Sequence, residues 1–221
     1  YEDMIRLVTL APEENADALI GYLTARGVRV QAGHTAATAE EGRHAFATGV
    51  GGVTHFFNAS TPIHHRAPGI LTAALLDDRA YCECICDLVH VHPDAIRLIY
   101  KCKGAERMII VSDAVFTTGL PDGVYASQAE TYYVKNGESR TRDGALAGGG
   151  AVLTQEARSL ISLGVPARDA FDMASRTPAE HLGLPGGKIA PGARAEILCM
   201  NAAYEAVCTV IGEKVYGGPA A

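Results

Sequence analysis

The sequence predicts an α/β fold built on a parallel β-sheet. Three observations carry that prediction. Short apolar runs alternate with segments of helical period. The connections between them are of ordinary length. Polar, titratable residues recur just after the apolar runs. Strand–helix alternation of this kind is the pattern of βαβ units, whose crossover helices force neighbouring strands to run in parallel.

The elements follow in order. Met4–Leu10 is a buried-strand candidate. Residues 12–26 place Ala16, Leu19, Ile20 and Leu23 at helical spacing, and Gly27 stops that helix. Val28–Ala32 reads as a strand ending at Gly33-His34-Thr35. Thr38 and Glu41 form a capping box for a helix to Thr48, closed by Gly49. Val53–Phe57 reads as a strand carrying His55, followed by a polar, histidine-rich loop from Asn58 to Gly69. Ile70–Leu76 reads as a helix and Tyr81–Ile85 as a strand leading to Asp87 and His90. Pro93 opens a helix that runs to Lys103, with Gly104 after it. Arg107–Val111 is the fifth strand, ending at Ser112-Asp113. Asn136-Gly137 and Asp143-Gly144 mark a hairpin excursion. Helices resume at 151–163, 167–175 and 178–182. Residues 186–200 and 204–215 read as short antiparallel strands. The division expected is residues 1–184 for the main α/β part and 185–221 for a small β unit.

The bulk composition narrows the function. The 221 residues are 48% hydrophobic, enough for one core or one core with a small satellite. A net charge of −6 with scattered positive charges excludes a nucleic-acid footprint. No run of about 18 apolar residues offers a membrane span. The first residues lack the basic segment of a secretory signal. Cys82, Cys84 and Cys86 alternate along one strand and so share a face. A thiolate metal site is one reading of them. Buried free thiols in a reducing cytoplasm are the favoured one.

The chemistry lies at the strand ends. His34, His55, His90 and Asp113 recur at the C-terminal ends of four consecutive strands. In a parallel α/β barrel those ends converge on one face, where active sites are built. A lone histidine is more often structural, but four such residues in register point to a site. Imidazoles suit zinc, iron and related divalent ions. A catalytic metal takes three protein ligands and keeps a position for water. His34 and His55 supply two of the three. Asp113 is the natural acid/base for a hydrolytic water.

These residues carry a family resemblance. Gly33-His34-Thr35, Thr54-His55 with Asn58-Ala59, Arg66 with Pro68-Gly69, Asp87 with His90-Val91, and Val111-Ser112-Asp113-Ala114 resemble the N-acetylglucosamine-6-phosphate deacetylases of the amidohydrolase superfamily. The likeness runs from Leu7 to the C-terminal strands. It implies a metal-dependent (β/α)8 barrel of the TIM type, of which about five βα units are present, and a homodimer. It implies hydrolysis of the N-acetyl group of N-acetylglucosamine-6-phosphate, in amino-sugar metabolism. His34 and His55 would be metal ligands, with zinc the first candidate and iron, cobalt or another divalent ion the others. Asp113 would be the catalytic acid/base. His90 would contact the amide carbonyl or the sugar. Asn58, Ala59, Leu146, Ala147 and Gly148 would line the sugar site. Arg66 would bind the 6-phosphate, reaching the neighbouring subunit's active site. Guanidinium suits that role because it grips phosphate bidentately. His64 and His65 either assist Arg66 or face solvent.

The sequence also departs from the family. The carboxylate metal ligand and the first barrel strands have no counterpart, and Glu13 and Glu83 are poor substitutes for that ligand. Ser112 stands where Thr is common, and Glu196 where Asp is usual. The chain therefore reads as the C-terminal portion of a longer protein. Two rivals stand beside the main expectation. One is a related amidohydrolase acting on another N-acyl amino sugar, such as N-acetylgalactosamine-6-phosphate. The other is a non-catalytic barrel scaffold with structural histidines.

Overall fold

The computed structural model describes residues 4–127 and 130–217. Five strands and four helices alternate through the first half. They are β1 (Leu7–Leu10), α1 (Asp17–Thr24), β2 (Arg29–Ala32), α2 (Ala39–Thr48), β3 (Val50–Val53), α3 (Ile70–Leu76), β4 (Tyr81–Cys84), α4 (Pro93–Arg107) and β5 (Met108–Ile110). All adjacent strands pair in parallel, in the order β1-β2-β3-β4-β5. The expected parallel sheet is present.

Alternation decides which residues face the helices. Val30, Ala32, Cys82, Cys84, Met108 and Ile110 join the apolar cluster beneath α1–α4. Gln31, Glu83 and Ile109 point to the opposite face. Cys82 and Cys84 on β4 and Cys86 just after it are buried free thiols. Burial pushes the Cys82 thiol up to about 12. Ile96 and Ile99 lie on one face of α4 and are fully buried. Each contributes roughly 1.5–3 kcal/mol through removal from water.

Local signals placed the helix starts well. Thr38 and Glu41 form the reciprocal capping box of α2. Pro93 occupies the first turn of α4. Gly104 interrupts α4 with a left-handed φ of 58°, but helical structure resumes to Arg107. The first helix is shorter than expected because residues 11–15 turn back, with Asn15 left-handed at φ 56°. One strand differs in place. The expected strand at Val53–Phe57 is β3 at Val50–Val53, so His55 lies in a turn beyond the strand. Gly52 serves a close approach: a Cβ there would strike the Tyr81 carbonyl of the neighbouring strand.

An antiparallel meander follows: β6 (Gly123–Ala126), β7 (Thr131–Lys135) and β8 (Glu138–Arg140), with Asn136-Gly137 turning β7 into β8. Helices α5 (Leu153–Ser162), α6 (Ala167–Ala174) and α7 (Arg176–Leu182) then pack against the fourth helix and β5. A third sheet, β9 (Glu196–Met200), β10 (Ala206–Ile211) and β11 (Lys214–Gly217), is antiparallel as expected. It meets the helices through Phe171 and Tyr204, whose rings lie 5.6 Å apart. Among the described residues no helix is long and apolar enough to cross a membrane.

Candidate active site

The polar residues singled out in sequence sit where strands give way to turns. His34, His55 and Asp113 all have left-handed backbones, with φ of 50°, 32° and 47°. Each such residue costs on the order of 1–3 kcal/mol, which the surrounding structure must overcome. Three of them after β2, β3 and β5 mark a place where backbone comfort yields to side-chain aim.

The supports are visible. Glu13 accepts hydrogen bonds from the Thr35 hydroxyl and the Ala36 N–H, both at 2.5 Å, and so braces the turn after His34. The Thr35 N–H donates to the Ala59 carbonyl at 3.1 Å. Asn58 donates its side-chain amide to the carbonyls of His55 and Phe56 at 3.2 and 3.4 Å. Asn58 and Ala59 therefore shape the two histidine turns.

The two imidazoles converge. Nε2 of His34 and Nε2 of His55 lie 3.0 Å apart, with the rings edge to face. At that distance they cannot both carry protons, so at least one lone pair points into the gap. Two nitrogens bound to one ion at about 2.0–2.1 Å in tetrahedral geometry would stand about 3.3 Å apart. The pair therefore fits two corners of a divalent-metal site. Nδ1 of His55 is buried with no partner among the described residues. Among the described residues no group of three or more His, Cys, Asp or Glu side chains is placed to hold an ion. His34 and His55 offer two of the donors such a site needs.

A polar layer lies beneath them, and the sequence reading did not assign it a role. Gln31 is buried and donates its amide to Glu83 at 2.6 Å. Glu83 also accepts from the backbone of His55 and the side chain of Thr54. Thr54 in turn meets Thr9 at 2.8 Å. Burial pushes the Glu83 carboxyl up to about 7; the Asp113 charge adds to this, while its donors oppose it. The signal was legible as two polar residues alternating into strands that are otherwise apolar.

His90 stands on its own support. Its Nδ1 lies 2.7 Å from Asp87 Oδ2, with both side chains almost wholly buried. Asp87 Oδ1 accepts the N–H groups of Val89 and His90, each at 2.9 Å. Burial alone would raise the Asp87 carboxyl, but the His90 ring and these N–H groups hold it below its ordinary value. With Nδ1 engaged, Nε2 is the nitrogen left for a ligand. His90 and Asp87 line a cavity of about 280 Å³ together with Leu146, Gly148 and Gln155. The structure thus brings His90 and the 146–148 stretch together. Ala147 is tied by its N–H to the Ser139 carbonyl at 2.9 Å.

Asp113 is exposed, and its carboxylate has no hydrogen-bond or ion-pair partner among the described residues. Its backbone carbonyl accepts the Gly149 N–H at 2.8 Å, and Ala114 pairs with Gly149 as an isolated parallel bridge. The glycine run 148–150 therefore lies against the end of β5 and sets where Asp113 stands. Arg66 is not brought to the His90 cavity. It sits exposed on the 58–69 loop, with Nη1 donating to His65 at 2.6 Å.

The amidohydrolase family profile matches residues 23–215. The chain belongs to the amidohydrolase family. It is 40% identical over 201 residues to the N-acetylgalactosamine-6-phosphate deacetylase of Escherichia coli O157:H7, covering 89% of this chain and 53% of that protein. It is 39% identical over 186 residues to the N-acetylglucosamine-6-phosphate deacetylase of Vibrio furnissii, covering 83% of this chain and 46% of that protein. Among solved structures, a mutant N-acetyl-D-glucosamine-6-phosphate deacetylase of Mycobacterium smegmatis in complex with N-acetyl-D-glucosamine-6-phosphate superposes with a TM-score of 0.91 at 35% identity. That match covers 97% of this chain and 58% of the other. The Thermotoga maritima N-acetylglucosamine-6-phosphate deacetylase superposes with a TM-score of 0.90 at 33% identity, over 96% of this chain and 59% of the other. This amidohydrolase chain spans about half the length of the curated relatives it matches.

Proposed function

We propose that this amidohydrolase chain carries most of the catalytic site of an N-acetylglucosamine-6-phosphate deacetylase. The observation that carries the proposal is the convergence of the His34 and His55 Nε2 atoms to 3.0 Å at the strand ends. The five parallel βα units, with helices over the apolar face and polar residues on the other, belong to a (β/α)8 barrel in this reading. Residues 1–184 form the barrel part and 185–221 the small β domain. The protein acts as a homodimer in the cytoplasm, where six free cysteines among the described residues suit a reducing medium.

His34 and His55 would hold the metal, zinc in the first instance, with iron or cobalt as substitutes. When bound, the ion would supply Lewis acidity. Asp113 takes a proton from the water whose oxygen bonds to the acetyl carbonyl carbon, and returns it to the sugar nitrogen as the amide C–N bond breaks, giving free amine and acetate. His90, fixed through Asp87, presents Nε2 to the amide carbonyl or sugar. Asn58, Ala59, Leu146, Ala147 and Gly148 shape the sugar site. Arg66 reaches the 6-phosphate in the partner subunit's site, consistent with its exposure on the rim.

A second substrate is favoured by one observation: the relative at 40% identity bears the name of a galactosamine enzyme. Acetate release by the complete protein tests both readings. N-acetylglucosamine-6-phosphate, its galactosamine epimer and unphosphorylated N-acetylglucosamine should be compared. Preference for a phosphorylated sugar is expected. Equal rates with the unphosphorylated sugar would remove the role given to Arg66. No acetate from any of the three, with metal supplied, would favour the scaffold.

A further inference from the structure

We propose that Glu156 is a positioning residue for His90: it holds the peptide that carries Asp87, and Asp87 holds the imidazole. The inference rests on the reading above, in which His90 meets the substrate. Glu156 lies on the inward face of α5 beside Ala157 and Leu160, and all three are fully buried. At this spacing an apolar side chain would complete the helix stripe. A carboxyl placed there costs free energy unless it does something else.

Glu156 Oε2 accepts the Cys86 N–H at 3.0 Å. Cys86 immediately precedes Asp87. A short chain of contacts therefore runs from α5 through Cys86 and Asp87 to His90 Nδ1. Oε1 is buried with no partner among the described residues, so the Cys86 N–H is the one group this carboxyl holds. Burial pushes the carboxyl up to about 8; the charges of Asp87 and Asp113 act in the same direction. The titratable groups facing it are Cys86 and Asp87 after β4 and Asp113 after β5. The shift favours the neutral acid at Glu156, whereas Asp87 is held low and stays the carboxylate that grips His90.

The test uses the complete enzyme with Glu156→Leu, Glu156→Gln, His90→Asn and the double variant Glu156→Leu/His90→Asn. Leu keeps burial and removes the acceptor. Its kcat should fall about tenfold or more, because small misplacements near reacting atoms are costly, while KM and the unfolding midpoint hold. Gln keeps a neutral acceptor for the Cys86 N–H and should restore kcat to within about threefold. The double variant should be no slower than His90→Asn alone, since the two residues act in series. A Leu variant with unchanged kcat, or a double variant slowed by the product of the two effects, overturns the inference but leaves the role of His90 standing. Unchanged turnover in His90→Asn removes that role and the inference with it. Should the Leu variant not fold, Glu156→Met decides: it also fills the space without an acceptor, so kcat should fall about tenfold or more at unchanged KM, and unchanged kcat overturns the proposal.

Discussion

Gly149→Ala tests how the glycine run fixes Asp113. Gly149 has an ordinary negative or extended φ, so the obstacle to a side chain is space alone. A Cβ would overlap the Ser112 carbonyl oxygen and come within 3.0 Å of its carbon. Both are backbone atoms on the end of β5 and cannot rotate away, so one segment must move by about an ångström or more to reach ordinary contact. That movement breaks the Gly149 N–H bond to Asp113 at 2.8 Å and the Thr118 hydroxyl bond to the Gly149 carbonyl at 2.7 Å. Two hydrogen bonds at about 1 kcal/mol each and overpacking of about 1–3 kcal/mol give a loss of roughly 3–5 kcal/mol. Denaturant unfolding of the complete protein should read that loss directly. Acetate release should fall by at least about tenfold, because Asp113 is displaced from the reacting amide. Gly21→Ala is the control. Gly21 is exposed in α1 with nothing near its missing Cβ, so alanine there should stabilise by about 0.5–1 kcal/mol. Unchanged stability and turnover in Gly149→Ala would refute the close-approach argument.

Further outcomes follow from other parts of the site. Asp113→Asn should reduce kcat by about 100-fold or more, the scale of a lost general acid/base, with an unchanged circular dichroism spectrum; wild-type turnover would sink the mechanism. Arg66→Ala should raise KM for the phosphorylated sugar about tenfold or more and spare the unphosphorylated one, and Arg66→Lys should recover only part because it lacks the bidentate grip. His55→Ala should lower the metal content of the purified complete protein, whereas His44→Ala, an exposed residue paired with Asp17, should leave it unchanged by elemental analysis. His181 adds a pH effect on stability. Burial depresses its pKa from 6.5 to about 4, helped by Arg29 and Arg107. Its contribution is therefore present above about pH 6.5 and lost as pH falls through about 4, amounting to about 3 kcal/mol when lost in full. The difference between wild type and His181→Asn, followed by denaturant unfolding across that window, should show this slope; parallel curves would refute it.

The sequence by itself determined the parallel α/β order, because each strand and helix declares itself through short-range alternation, capping and stop signals. Thr38 with Glu41, Pro93, and the turn at Asn136-Gly137 all act within a few residues, where backbone chemistry suffices. It also placed His34, His55, His90 and Asp113 towards the C-terminal ends of successive strands, since spacing along a βα repeat maps onto one end of a sheet; that His55 lies beyond β3 rather than on it came from the structure. The tertiary structure decided the rest. Gly52 stands in β3 where the neighbouring backbone at Tyr81 leaves no room for a Cβ, which no local propensity encodes. Glu13 became a brace for the His34 turn across 22 positions of chain. Gln31 met Glu83 across 52, and Glu156 met Cys86 across 70. Whether such a buried polar group stabilises or costs depends on the partner that packing brings to it, and that partner is fixed by the fold rather than by neighbours in sequence.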